Sequence, residues 1–184
     1  MNKSCSKVLP CGHPCGGFKD EIMCLPCLDE ACVAKNEALS MGMKSDEYCI
    51  ICYTDGLGQA PAVQLECRHI FHLDCLLEKI KMGSDGARIN FKFMDCPACN
   101  VEIRADHCPP IKDELRPHRN LKEKVLAKAI ERAKIEGLDK EPRLENPDDP
   151  FYHDLTGYAM KRLSYYMCFT CNDPYFGGKR DCGE

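Results

Sequence analysis

The sequence predicts a small α+β chain, built from several modules that bound metal holds together in place of one large apolar core. Three observations point there. The chain of 184 residues carries 16 cysteines and 6 histidines, far more sulfur than a core of this size uses. Many of these residues fall in close pairs with tight turns between them. Aromatic side chains are sparse: Trp is absent and aromatics make up 8% of residues.

So many cysteines require disulfides or metal. Met1 to Pro14 contains no continuous apolar stretch of the kind a secretory leader has. No run approaches the ~18 apolar residues of a membrane span. An intracellular chain keeps its thiols reduced, and disulfide frameworks have no use for interleaved histidines. Zinc is therefore the expected cofactor, in a cytoplasmic setting with the nucleus also open. The formal net charge of -4 gives no basic nucleic-acid footprint, so neither nucleic acid nor membrane is expected as a partner.

The densest pattern is Cys49-x2-Cys52, Cys67-x-His69-x2-His72-x2-Cys75 and Cys96-x2-Cys99. Zinc takes four such ligands in a tetrahedron at about 2.0–2.3 Å, and a pair spaced by one or two residues lets a single turn supply two. Eight ligands fill two sites and leave no position open for catalysis. The spacing is that of a RING-H2 finger, over residues 47–104, whose cross-brace interleaves its pairs. Cys49, Cys52, His72 and Cys75 are expected to share one ion, and Cys67, His69, Cys96 and Cys99 the other.

The remaining modules follow in order. Residues 1–34 hold Cys5, Cys11, His13, Cys15, Cys24, Cys27 and Cys32 among glycines, which reads as a zinc knuckle. Cys11, Cys15, Cys24 and Cys27 are its expected ligands, and a second site there would need a partner from elsewhere. Residues 35–46 are polar and small and read as a linker. Within the RING, Leu76, Leu77 and Ile80 have helical spacing, and Gly83 to Gly86 stop the helix. Ile89, Phe91 and Phe93 alternate with Asn90 and Lys92, which predicts a short strand packed under the second zinc. Residues 111–138 are expected as a linker helix. Asn120 and Glu123 are placed as its capping box, Leu121, Val125, Leu126, Ala129, Ile130 and Ala133 as its apolar stripe, and Gly137 as its left-handed end. The helix is expected to pack against the RING. Residues 139–150 read as a second linker. In 151–166, Leu155, Tyr158, Ala159, Leu163 and Tyr166 recur at helical intervals. Cys168, Cys171 and Cys182 follow as three ligands of a further zinc site.

Three stretches together resemble one family. They are the RING from Cys49-Ile50-Ile51-Cys52 to Arg88-Ile89-Asn90-Phe91-Lys92-Phe93, the helix end Glu136-Gly137-Leu138, and the segment Gly157-Tyr158-Ala159-Met160 … Tyr165-Tyr166-Met167-Cys168-Phe169-Thr170-Cys171 … Tyr175-Phe176-Gly177-Gly178. Over about residues 47–180 the chain resembles the C-terminal RING-Cys-relay region of the Pam/Highwire (PHR) ubiquitin ligases. The resemblance implies a RING that binds a ubiquitin-charged conjugating enzyme and residues 151–184 as the start of a tandem-cysteine domain. There, ubiquitin passes between cysteines and then to a Thr or Ser hydroxyl of a protein substrate. On the family pattern the relay cysteines lie beyond Glu184, so no catalytic cysteine is assigned.

Ile51 and Pro97 sit where RINGs of this type present apolar contacts to the conjugating enzyme, although packing of the zinc loops explains them too. Asn100 occupies the position where many RINGs carry an Arg that clamps ubiquitin for attack by lysine. Its presence fits transfer to a cysteine, and equally a non-catalytic zinc scaffold, which is the competing reading. Cys108 lies outside every cluster beside His107 and reads as a free or spare thiol, with ubiquitin acceptance as the less favoured role. His118 and His153 read as surface residues.

Overall fold

Closely spaced ligand pairs leave little chain for regular structure, and the elements are accordingly short. The computed structural model describes residues 3–84 and 86–177. The chain divides into two units, residues 1–83 with 92–116 and residues 84–91 with 117–184.

The first unit opens with an irregular hairpin. Antiparallel bridges join Ser4 to Phe18 and Val8 to Pro14, and Cys5 N donates to Gly17 O at 3.0 Å and Cys15 N to Lys7 O at 2.9 Å. Helix α1, Glu30–Lys35, starts where the Asp29 side chain accepts from Ala31 N. Helix α2, Glu37–Ser40, ends at Met41 in the left-handed region. The segment 35–46, expected as a linker, is thus structured: Ser45 N donates to Leu28 O, and Ser40 is buried. Strands β1 (Ala62–Gln64) and β2 (Ile70–His72) pair antiparallel, with Val63 opposite Phe71. Helix α3, Leu73–Met82, follows at once and buries Leu73, Leu76 and Ile80, the helical stripe legible in the sequence, with Leu77 half-buried at its edge. Gly83, at φ 65°, ends it. Leu57, Phe71, Leu76, Ile80, Met94, Ile103, Ile111 and Leu115 are among the largest fully buried side chains of this unit.

The strand expected at Ile89–Phe93 does not form. Arg88 makes one isolated bridge to Tyr166, and Lys92–Met94 is a turn of 3-10 helix. Ile89 belongs to the second unit's apolar cluster, with Val125 and Tyr165; it does not pack under a RING metal cluster. Alternation over five residues could not distinguish a strand from a segment whose apolar residues face different neighbours.

Helix α4 runs Pro109–Ile135, so Asn120 lies in its interior and caps nothing. Pro109 and Pro110 open it, where a missing N–H is harmless. Pro117 sits within it. Its early residues Ile111 and Leu115 are buried in the first unit, and Val125, Ala129 and Ala133 in the second. Gly137 adopts the left-handed conformation, φ 73°.

The second unit has a true apolar core: Ile89, Val125, Ala129, Ala133, Leu138, Leu144, Tyr158, Ala159, Leu163 and Tyr165. Leu138 and Leu144 come from two 3-10 turns, Leu138–Lys140 and Pro142–Leu144, the second of which lies inside the stretch 139–150 expected as a charged linker. Helix α5, Leu155–Arg162, begins where the Asp154 carboxylate accepts from Gly157 N at 2.8 Å. Any side chain at 157 would collide with that carboxylate. Strands β3 (Tyr165–Met167) and β4 (Pro174–Phe176) form a hairpin with Tyr166 opposite Tyr175, and Gly177 passes so close to the Tyr166 ring that no Cβ fits.

Candidate metal centres and docking surface

One turn recurs at three Cys-x2-Cys pairs, 49/52, 96/99 and 168/171. In each, the N–H of the residue after the second cysteine donates to the carbonyl of the first: Tyr53 to Cys49 at 2.8 Å, Asn100 to Cys96 at 2.9 Å, Asn172 to Cys168 at 2.8 Å. The first cysteine's own N–H donates onward, to Asp55, Val101 and Asp173 respectively. The donating residue takes a left-handed conformation, with φ of 55°, 58° and 55°. A second turn recurs at the two Cys-x-His pairs. Leu65 N donates to His69 O and Arg68 N to Leu65 O; Leu9 N donates to His13 O and Gly12 N to Leu9 O. The middle residue again has positive φ, 68° at Arg68 and 88° at Gly12.

The ligand atoms fall into four groups, each within 4.8 Å internally: Cys49, Cys52, His72 and Cys75; Cys67, His69, Cys96 and Cys99; Cys11, His13, Cys27 and Cys32; and Cys5, Cys15, Glu21 and Cys24. The first two interleave along the chain. Zinc with Zn–S near 2.3 Å and Zn–N near 2.0 Å has ligand–ligand edges of about 3.5–3.8 Å. His72 Nδ1 lies 3.8 Å from Cys52 Sγ and 3.7 Å from Cys75 Sγ. His69 Nδ1 lies 3.5 Å from Cys67 Sγ and 3.7 Å from Cys96 Sγ. The donor sets and spacings fit the ion.

Neighbouring groups orient these ligands. With Nδ1 toward the sulfurs, His72 Nε2–H donates to Gly56 O at 2.9 Å, the outer contact that fixes a ligating imidazole. Lys79, lowered from its usual pKa by burial, donates to Phe93 O at 2.6 Å and Asp95 O at 2.9 Å, tying down the loop that enters Cys96. Nothing in the sequence singled out Lys79 except its position one helical turn after Cys75. The thiols differ in their protein environment. Backbone N–H groups of Asp55 and Thr54 hold Cys52 down at about 6. Burial, aided by neighbouring sulfurs, pushes Cys67 and Cys75 up to about 12. Such thiols ionise together only around a cation.

In the N-terminal module the expected set divides. Cys11 and Cys27 fall in one group with His13 and Cys32, while Cys15 and Cys24 fall in another with Cys5 and Glu21. His13 Nδ1 lies 3.5 Å from Cys27 Sγ and 3.4 Å from Cys32 Sγ, with Nε2 3.7 Å from Asp29 Oδ2. Glu21 was missed because a single carboxylate in a polar stretch carries no spacing signal. Cys168 and Cys171 share the recurrent turn, Cys168 buried and Cys171 exposed; Cys182 lies outside the described residues. Cys108 is fully buried, and burial pushes its thiol up to about 11. Ubiquitin acceptance needs an accessible thiolate, so that role falls away.

Ile51 and Pro97 each lie half-buried inside a recurrent turn. Around Ile51, Tyr48, Ile50 and Tyr53 are 65%, 38% and 74% exposed, an apolar surface on the first ligand loop. Among the described residues no helix is long and apolar enough to cross a membrane.

The Ring finger domain family matches residues 47–100. Over 97% of its length the chain is 43% identical to the E3 ubiquitin-protein ligase MYCBP2 of Danio rerio and 37% identical to the E3 ubiquitin-protein ligase highwire of Drosophila melanogaster. It spans only 4% and 3% of those two relatives. Over 37% of the chain it is 37% identical to a Zinc finger protein-like 1 homolog of Drosophila melanogaster.

Proposed function

We propose that this chain, which belongs to the Pam/Highwire family of E3 ubiquitin-protein ligases by homology over nearly its whole length, uses its RING to recruit a ubiquitin-charged conjugating enzyme. The observation that carries the reading is the interleaved pair of four-ligand groups, Cys49/Cys52/His72/Cys75 and Cys67/His69/Cys96/Cys99, within the Ring finger match. Zinc in these groups would be structural, since four protein ligands leave no position for a water to activate. The ions would fix the two loops carrying Ile51 and Pro97, which together offer apolar contact to the conjugating enzyme.

In the family reading, ubiquitin's C-terminal carbonyl leaves the conjugating enzyme's sulfur for a cysteine thiolate, forming one thioester as another breaks. It then moves to a second cysteine and finally to a Thr or Ser hydroxyl of a protein substrate, forming an ester and releasing the thiol. The chain's own residues supply the first event, the docking of the donor. A cytoplasmic setting suits reduced zinc thiolates.

A discharge assay tests this. Purified chain should accelerate transfer of ubiquitin from the thioester of a conjugating enzyme to an added small thiol or amine. Ile51→Ala should retain metal yet lose enzyme binding and discharge, while Cys52→Ser should lose RING metal, fold and discharge together. A non-catalytic scaffold would leave the thioester at its spontaneous rate. Normal binding by Ile51→Ala would place the docking surface elsewhere.

A further inference from the structure

We propose that Cys5, Cys15, Glu21 and Cys24 hold a zinc ion of their own, outside the RING, in a mixed three-thiolate, one-carboxylate site. The four donor atoms lie within 4.8 Å of one another. The hairpin places two of them. Cys5 N donates to Gly17 O and Cys15 N to Lys7 O, so Cys5 and Cys15 are diagonal neighbours on one face of an antiparallel pair. Gly17 shares that face and contributes no side chain; the Glu21 carboxylate fills the space its Cβ would need. Asp20, at φ 62°, turns the chain back so that Glu21 enters this face, and Cys24 follows within the next turn.

Glu21 carries the argument. It is only 5% exposed, and carboxylates are almost never buried unless paired. Among the described residues no Lys, Arg or His forms an ion pair with it; Lys7 reaches its backbone carbonyl, at 3.4 Å, and not its side chain. What faces the carboxylate is sulfur, with Cys15 Sγ at 2.9 Å from Oε1. That distance is a thiol hydrogen bond, shorter than the about 3.5 Å edge of a zinc tetrahedron, and a small carboxylate rotation opens it. A divalent cation among three thiolates satisfies the buried charge, and zinc accepts that donor set.

The site would brace the N-terminal module against the sheet. Gly16, between Cys15 and Gly17, accepts from Ala62 N at 2.9 Å, at the start of β1. The adjoining group Cys11, His13, Cys27 and Cys32 caps the hairpin's tip, so the first 32 residues would form a two-metal module in their own right.

Native mass spectrometry and cadmium-113 NMR of the full chain test this. Cys15→Ser/Glu21→Ala should carry one ion fewer than wild type and lose hydrogen-exchange protection at the Ala62 amide. Glu21→Cys should keep the full count. In the cadmium-loaded protein, Glu21→Cys should move one resonance to the all-sulfur region and leave the three-sulfur, one-nitrogen resonances in place. Conjugating-enzyme discharge should survive these changes, which separates this site from the RING reading. An unchanged ion count in the double variant, or no cadmium resonance that responds at position 21, would show a thiol–carboxylate hydrogen bond only and overturn the proposal.

Discussion

Asn100 shows how a backbone demand can look like a functional departure. It donates to Cys96 O from a left-handed conformation, as Tyr53 and Asn172 do at the matching turns. Asn tolerates that region better than most residues, so the turn alone accounts for its presence, and the absence of Arg says nothing against ligase activity. Arg68 takes φ 68° in the same chain, so an Arg can hold the backbone conformation that position 100 requires. We therefore expect Asn100→Arg to fold and keep its metal at a cost of about 1 kcal/mol, and to raise ubiquitin discharge onto free lysine, measured against discharge onto a thiol. Equal rates on lysine for both proteins would mean that position 100 does not reach ubiquitin here. Gly157 and Gly177 teach the same lesson. They belong to the segment most specific to the family, and at each a Cβ would displace a side chain, the Asp154 carboxylate and the Tyr166 ring. The resemblance was carried by residues whose roles are architectural.

At the scale of elements, legibility followed periodicity and spacing. The RING helix could be read from Leu76 and Ile80 because one face is buried and a glycine stops it. The left-handed end at Gly137 could be read for the same kind of reason. The N-terminal cap of α4 could not. Asn120 resembles a cap, but eleven further residues join the helix because Ile111 and Leu115 are buried at its other end, and tertiary burial outweighs a capping side chain worth about 1 kcal/mol. The two linkers misled in a related way. Polar composition over 139–150 hid Leu144, which is 8% exposed in the second unit's core. Arg143, held by Asp149 at 2.8 Å and lying over the Phe151 and Tyr158 rings, folds the segment down. Leu144→Ala should accordingly cost the second unit about 2–5 kcal/mol, read by denaturant unfolding, with the metal content unchanged. A loss of only a few tenths would restore the linker reading.

At the scale of the whole chain, the two units are stabilised by different physics, and that difference was half visible in the sequence. Sixteen cysteines pointed to metal, and the eight RING positions fall into their two groups because paired spacing encodes paired turns. The N-terminal grouping was hidden because it is nested: Cys5 and Cys15 meet across a hairpin, and no linear spacing reports which of seven ligands meet across space. All four complete ligand groups among the described residues lie in the first unit, while the second has a ten-residue apolar cluster. Structural zinc supplies roughly 10–16 kcal/mol per site in small modules, and many of the buried residues of the first unit lie on short strands, turns and loops that the ligand groups tie together. Chelation at neutral pH should therefore release the β1–β2 ladder, so that the Val63 and Phe71 amides lose hydrogen-exchange protection and discharge of the conjugating enzyme stops. Amides of 125–133 should stay protected, because their helix packs on carbon. Acidification should act in the same direction as chelator, since protons compete with metal for the same sulfurs, and thiols that burial holds near 12 regain protons readily once the ion leaves. Simultaneous loss of protection in both regions would show that the metal groups hold up the apolar core as well, and discharge that survives full chelation would remove metal from the working of the RING.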